Sequence, residues 1–355
     1  MTSTQPDSLV GTILGTALGD ALGLPYEKLS RQRAARLFGE PDRFRFLPGR
    51  GMVSDDTEHT CLVAQALIAA GTDPARFARE LAWRMRWWFL SIPTGLGMAT
   101  LRSSLKLWMG SSPDRSGVYS AGNGPAMRSA ILGAAISDLK ELQEFVRIST
   151  RITHTDPKAE YAAMAVAIAA RCSAREKALQ ASTFLQELRP LLPATPDATE
   201  LYSLLEKTAE SATNGQSTVE FATTLGMTRG VSGYAYHTAP VSIHAALIHP
   251  RDFPAAVQGV IRCGGDADTT AAITGGIVGA AIGRLGLPED WLSHLWEWPR
   301  TVSWMDRLGE QLAISMQSSR VQRPPRLPVV GLLARNLLFT GLVLAHGFRR
   351  LLPPY

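Results

Sequence analysis

Gly11-Thr12-Ile13-Leu14-Gly15-Thr16-Ala17-Leu18-Gly19-Asp20-Ala21-Leu22-Gly23 sets a glycine at every fourth position of a small, apolar run. That spacing lies close to the helical repeat, so it predicts a helix over Val10–Leu22 with a smooth stripe along one face. Lacking Cβ atoms, the stripe lets a second backbone come close. In a bilayer such a stripe would favour helix pairing, but Asp20 and the short apolar length argue against a span.

The chain on either side reads as helix after helix. Ser54 is a natural N-cap for Asp55–Ala70, and Asp156-Pro157 caps and starts Lys158–Arg171. Apolar periodicity marks further helices over Pro74–Leu90, Thr100–Met109, Pro125–Ser137, Ala174–Leu188, Asp197–Ala212 and Thr218–Met227. It continues over Pro240–Ile248, Phe253–Cys263, Asp266–Leu285, Leu287–Trp298 and Val302–Gln317. Leu24–Val53, broken by Pro25, Pro41, Pro48 and Gly49-Arg50-Gly51, reads mostly as loop. Period-two runs are scarce and no repeat of fixed period is present. The expected fold class is therefore all-α, a compact multi-helix body rather than a solenoid.

Residues 1–317 are expected to form that body, 318–328 a polar linker, and 329–355 an apolar C-terminal helix with basic flanks. Arg323 and Arg326 precede the apolar run, and Arg349 and Arg350 follow it. Twenty apolar residues are long enough to span a bilayer, but Arg335, Asn336 and His346 interrupt them. A helix docked on the body or on a second subunit is the favoured reading, with membrane contact through residues 329–348 as the alternative.

Of the 355 residues 45% are hydrophobic and 19% charged, with a net charge of +5 and a pI near 9.3. No basic run, zinc-finger or RNP pattern points to nucleic acid. Mild positive charge suits an anionic small molecule, and scattered surface arginine explains it equally well. Cys61, Cys172 and Cys263 have no CxxC spacing, which argues against a disulfide framework or structural zinc and fits a reducing cytoplasm. Met1–Ser8 shows no signal-peptide pattern. Trp83, Trp87, Trp88, Phe89 and Trp108, interleaved with Arg84, Arg86 and Arg102, resemble a single-strand nucleic-acid platform, but helical spacing favours core packing.

Two acidic clusters carry the chemistry. Ser54-Asp55-Asp56-Thr57 and Gly264-Gly265-Asp266-Ala267-Asp268-Thr269 each follow a turn and open a helix. Taken singly, such residues are good helix caps. If the fold joins them, four carboxylates and two or three hydroxyls converge, which demands cations or shifted pKa values. An all-oxygen set of this kind suits Mg²⁺, Mn²⁺ or Ca²⁺, and Asp268 could bridge to a second ion.

Further pieces occur in order between Leu9 and Arg284: Gly11 to Glu27, Ser54 to Thr57, Gly122-Asn123-Gly124-Pro125-Ala126-Met127-Arg128, His154, Gly233-Tyr234 and Gly264 to Thr269. In this set the chain resembles the ADP-ribosylhydrolase (ADP-ribosylglycohydrolase) family. The resemblance implies an all-α fold with a binuclear centre, two Mg²⁺ or in some members Mn²⁺, at the base of an ADP-ribose cleft. It implies Ser54, Asp55, Asp56, Asp266, Asp268 and Thr269 as metal ligands. Glu27, Asp55 and Asp56 are then the candidate acid–base groups. Gly122, Asn123, Gly124, His154 and Tyr234 become candidate substrate contacts. Asn123 stands where some members carry an aspartate. The Gly122-Asn123-Gly124 turn could cradle a phosphate with its N–H groups or be only a tight turn, and Tyr234 could stack on adenine or sit in the core. The implied activity is removal of ADP-ribose from a modified protein or other acceptor. The alternative is a catalytically silent, crystallin-like relative that binds ADP-ribose without turnover.

Overall fold

The computed structural model describes residues 6–318 and 321–352. Among them eighteen α-helices follow one another: α1 (Pro6–Gly23), α2 (Arg31–Phe38), α3 (Asp55–Ala70), α4 (Pro74–Leu90), α5 (Met98–Trp108), α6 (Gly124–Met127), α7 (Ala130–Ala135), α8 (Leu139–Arg151), α9 (Pro157–Glu176), α10 (Ala181–Leu188), α11 (Pro196–Thr213), α12 (Thr218–Thr224), α13 (Ala235–Ile248), α14 (Phe253–Ile261), α15 (Ala267–Ile282), α16 (Glu289–His294), α17 (Val302–Ser318) and α18 (Val329–Arg349). The described residues contain isolated β-bridges but no named strand. The all-α expectation holds.

The glycine stripe organises the centre. A Cβ on Gly11, Gly15, Gly19 or Gly23 would lie 2.1 to 2.5 Å from the carbonyl oxygen of Gly279, Gly275, Ala271 or Ala267 respectively. The descending partner numbers make α1 and α15 antiparallel, with backbone pressed against backbone. Gly275 and Gly279 return the contact, each blocked by a carbonyl of α1. α17, α3 and α7 cover the remaining sides of α1, and α9 packs on α15, α13 and α7. Every residue of α1 from Ser8 to Gly23 is buried.

Several boundaries differ from the sequence reading. Leu24–Val53 contains α2, a single two-turn helix capped by Ser30. The Pro125–Ser137 helix divides into α6 and α7, and Ala174–Leu188 divides at Lys177, which has φ +58. α13 begins at Ala235 and carries Pro240 inside it, so that proline does not mark the helix start. The tryptophan stretch is only partly core: Trp88 is buried, whereas Trp83, Trp87 and Trp108 are 53%, 49% and 42% exposed. They lie on the outer face of α4 and α5, where Trp83 and Trp87 line a groove shared with residues 322–333.

Residues 321–328 carry no regular structure and run along α3, where Gln322 N–H donates to the Ile68 carbonyl and Gln65 to that of Pro325. α18 is docked with its polar groups inward. Arg335 and Asn336 are buried, while Leu337, Leu338, Leu344 and Phe348 face out.

Candidate functional site

The antiparallel α1–α15 pair decides where the chemistry sits, because it brings the C-terminal end of α1 to the N-terminal end of α15. Beyond α1, Lys28 N–H donates to the Gly265 carbonyl and Gly265 N–H returns a bond to Leu29. Gly264 and Gly265 take φ +69 and +83, and a Cβ on Gly265 would strike the Val231 backbone at 2.0 Å. Only glycine fits that turn. One turn before the end of α1, Asp20 accepts hydrogen bonds from the N–H groups of Ser54 and Thr57 and from the Thr57 hydroxyl. A buried carboxylate of α1 thus caps the start of α3, where the macrodipole also favours negative charge.

The two acidic clusters therefore meet. Thr269 Oγ1 donates to Asp56 Oδ2 at 3.2 Å, joining the starts of α15 and α3, and Ser54 Oγ donates to the same oxygen at 3.1 Å. Glu27, Asp266 and Asp268 each offer a carboxylate oxygen within 4.8 Å of the others. These groups share a cleft of about 500 Å³ with Ser54, Asp55, Asp56 and Thr269, so all six ligands implied by the resemblance, and Glu27, line one cleft.

The charge there is unbalanced. Five carboxylates (Glu27, Asp55, Asp56, Asp266 and Asp268) line the cleft against one cation, Lys28, which pairs with Glu27 at 2.6 Å. Two like charges about 4 Å apart repel by about 4 kcal/mol at an effective dielectric of about 20. Without added cations, burial and mutual repulsion disfavour the charged forms of Asp55, Asp56, Asp266 and Asp268. Burial first, then neighbouring negative charge, keeps Asp55, Asp56 and Asp268 well above the usual carboxylate range. Burial pushes Asp266 and Asp20 up to about 6, against hydrogen bonds that favour the charged form. Asp56 Oδ1 is buried and has no hydrogen-bond partner. An orphaned carboxylate oxygen amid hard oxygen donors fits divalent cations of the Mg²⁺ or Mn²⁺ kind.

The other expected residues divide. Gly122, Asn123, Gly124 and His154 line the cleft. A Cβ on Gly122 or Gly124 would come within 3.0 or 2.9 Å of the His154 ring, so a larger residue at either position would have to displace that ring. Burial, with the charge of Arg128, pushes His154 down to about 3, so it is neutral at physiological pH. The N–H groups of Gly122 and Asn123 donate to Ser120 Oγ and the Gly233 carbonyl. Asn123 Nδ2 donates to Asp266 Oδ2 at 2.6 Å and to Thr238, so it orients a carboxylate of the cluster. Gly233 faces the cleft, whereas the Tyr234 side chain turns to Lys158, Tyr236 and His237 and is not among the lining residues.

Sequence reasoning missed three contributors. Asp20 was legible as the one acid in an apolar stripe, a residue that must find donors. Gly97, Met98, Ala99 and Thr100 line the cleft at the start of α5, whose N-cap offers no side-chain bond, so its first-turn N–H groups are available to an anion. Phe339 and Val343 of α18 also line it, and no local signal in that helix announces this.

A family model described as ADP-ribosylglycohydrolase matches residues 1–322. The chain belongs to that family. Among ADP-ribosylglycohydrolase relatives, the ADP-ribosyl-[dinitrogen reductase] glycohydrolase of Rhodospirillum rubrum is 28% identical over 301 residues, 81% of this chain and 90% of that protein. The human ADP-ribosylhydrolase ARH3 is 30% identical over 199 residues, 49% of this chain and 54% of that protein. An uncharacterized protein of Archaeoglobus fulgidus is 31% identical over 279 residues, 77% of this chain and 86% of its own length. A solved structure titled ADP-ribosylglycohydrolase-related protein complex superposes with a TM-score of 0.63 at 26% identity, covering 89% of this chain and 100% of that one.

Proposed function

We propose that this ADP-ribosylglycohydrolase-family protein is a divalent-cation-dependent hydrolase that removes ADP-ribose from a modified acceptor by cleaving the glycosidic bond at ribose C1″. The observation that carries the reading is the junction of the two helix starts, Thr269 to Asp56, around an unpartnered buried carboxylate oxygen. Ser54, Asp55, Asp56, Asp266, Asp268 and Thr269 would hold two cations, Mg²⁺ or Mn²⁺. Bound there, the cations supply charge neutralisation and Lewis acidity toward water and the ribose hydroxyls.

The protein's own groups do the rest. Asn123 and Ser54 orient Asp266 and Asp56. Glu27 and Asp55 are half-buried and face the cleft, in position to take a proton from the attacking water. The carboxylate cluster stabilises positive charge as it develops at C1″. The water oxygen bonds to C1″, the acceptor leaves with the bonding pair, and a proton returns to it. Neutral His154 contributes a hydrogen bond rather than charge. The uncapped first turn of α5 suits the diphosphate.

Three buried free cysteines sit well with a reducing cytoplasm. The test is a panel of ADP-ribosylated arginine, serine and nucleic-acid substrates, assayed with and without chelator. Release of free ADP-ribose that needs Mg²⁺ or Mn²⁺ supports the reading. Tight ADP-ribose binding with no release from any substrate would instead identify the silent, ligand-binding alternative.

A further inference from the structure

α18 lies beyond the residues matched by the family model, yet it touches three of the segments that line or adjoin the cleft. Arg350 donates to the carbonyls of Glu27 and Pro25, both at 3.0 Å. Arg335 donates to the Val53 carbonyl and to Glu297, while Glu297 accepts the Val53 N–H, so both backbone groups beside Ser54 are fixed. Asn336 donates to the Ser91 carbonyl at 2.7 Å and its hydroxyl at 3.0 Å, and the Thr340 and Thr94 hydroxyls pair. Phe339 fills the space between, packed with Leu24, Phe46 and Met52.

Two of these segments carry backbone strain. Lys28 has φ +59 and Ile92 has φ +56, both in the left-handed region that non-glycine residues avoid, a β-branched residue above all. Such conformations persist where their surroundings over-determine them. The segment before Lys28 is gripped by Arg350, and the turn around Ile92 by Asn336 and Thr340.

We propose that α18 is a positioning helix for the site, with separable ends: Arg350 sets Glu27 and the cation cluster, and Thr340 with Asn336 sets the Ser91–Gly97 turn that leads into the ligand-binding start of α5. This rests on the hydrolase reading above, and its test does not need turnover. Arg350→Met, Arg350→Lys and Thr340→Val are compared with the unmutated full chain in two titrations. One follows Mg²⁺ alone by thermal shift. The other follows free ADP-ribose by calorimetry at saturating Mg²⁺.

Arg350→Met is expected to raise the Mg²⁺ midpoint about fivefold or more, with ADP-ribose affinity within about twofold and Arg350→Lys recovering part of the loss. Thr340→Val is expected to weaken ADP-ribose about fivefold and leave the Mg²⁺ midpoint within about twofold, because at constant shape it deletes the hydroxyl's bond with Thr94, the other being a local bond to the Asn336 carbonyl. A helix that serves stability alone would move both readouts together or neither, and either result overturns the proposal. An unmutated chain that binds ADP-ribose but releases none from any substrate refutes hydrolysis and leaves the positioning role standing. Turnover with flat titrations in all three variants does the reverse. A chain that binds neither Mg²⁺ nor ADP-ribose ends both.

Discussion

Pro6–Tyr26, which is α1 with the turn after it, and α18 are both long and apolar enough to cross a bilayer by length and composition alone, and the fold treats the two in opposite ways. The first is longer than the sequence reading of that helix, Val10–Leu22. All of the apolar window of α1 is buried, against 22% of that of α18. α1 turns a glycine face to α15 and directs its buried acid, Asp20, to the N-terminus of α3. α18 puts Arg335 and Asn336 inside and leaves Leu337, Leu338, Leu344 and Phe348 outside. Hydropathy therefore says little about which face of a helix is inward. What decides is where the unpaired donors and acceptors lie, since a buried polar group must be satisfied while an exposed leucine costs little. α18 reaches the cleft with Phe339 and Val343, whereas α1 stops just short of it and acts through the helix starts it holds in place.

The contrast breaks most sharply at Gly19. A Cβ there meets the Ala271 carbonyl oxygen at 2.1 Å and its carbon at 2.6 Å, and neither helix backbone can retreat. Gly19→Val is expected to cost at least about 4 kcal/mol, read as loss of soluble protein or of its denaturation midpoint. A folded variant with a midpoint near that of the unmutated chain would mean that α1 and α15 are not in backbone contact. Next comes Arg335 in α18, which faces Glu297 at 2.8 Å and Glu58 at 3.6 Å in a site almost closed to water. Arg335→Met strands a buried carboxylate and is expected to cost about 3–5 kcal/mol by chemical denaturation. A loss below about 1 kcal/mol would show that α18 is not docked through this residue.

The carboxylate cluster at the starts of α3 and α15 gives a smaller effect with a defined sign. Carboxyls raised above their unfolded values of about 4 stabilise the metal-free protein fully only below that pH. That contribution is lost as pH climbs through about 6, where Asp20 and Asp266 ionise, and beyond it for Asp55, Asp56 and Asp268. On the proposed reading Mg²⁺ would compete with those protons, so its stabilisation is expected to be larger at pH 8 than at pH 5.5. At a hundred times its dissociation constant the gain is about 2.7 kcal/mol. Asp268→Asn should remove most of it. Melting curves at the two pH values, with and without Mg²⁺, decide the matter, and an equal gain at both would contradict the assignment.

How far the sequence could be read follows from the same contrast. Ser54 to Ala70 was legible to the residue because a cap and an apolar run are both local signals, and the glycine period foretold a close backbone partner without naming α15. The convergence of Asp55, Asp56, Asp266 and Asp268 was legible from chemistry, since separated helix starts rich in carboxylates make sense together around cations. Arg335 and Arg350 were visible only as interruptions and flanks of an apolar run. Their partners, Val53, Glu297, Pro25 and Glu27, lie far away in sequence, and no periodicity encodes such a pairing. The acceptors of the Gly122 and Asn123 N–H groups were hidden for a related reason: one of them is a backbone carbonyl at Gly233.

Gly341 supplies the smallest effect and the cleanest counterpart to Gly19. It lies mid-helix in α18, and a Cβ there would meet nothing within 4 Å. Glycine in a helix interior loses more chain entropy on folding than alanine does, so Gly341→Ala is expected to gain about 0.5–1 kcal/mol by denaturant titration. A valine at position 19 and an alanine at 341 thus make opposite statements from the same residue type in helices of similar hydropathy. Should Gly341→Ala destabilise the protein, the outer face of α18 must be covered in solution, because only a close neighbour can make one methyl group unwelcome. The exposed leucines beside it would then be contacts, and α18 would resemble α1 more than its placement indicates.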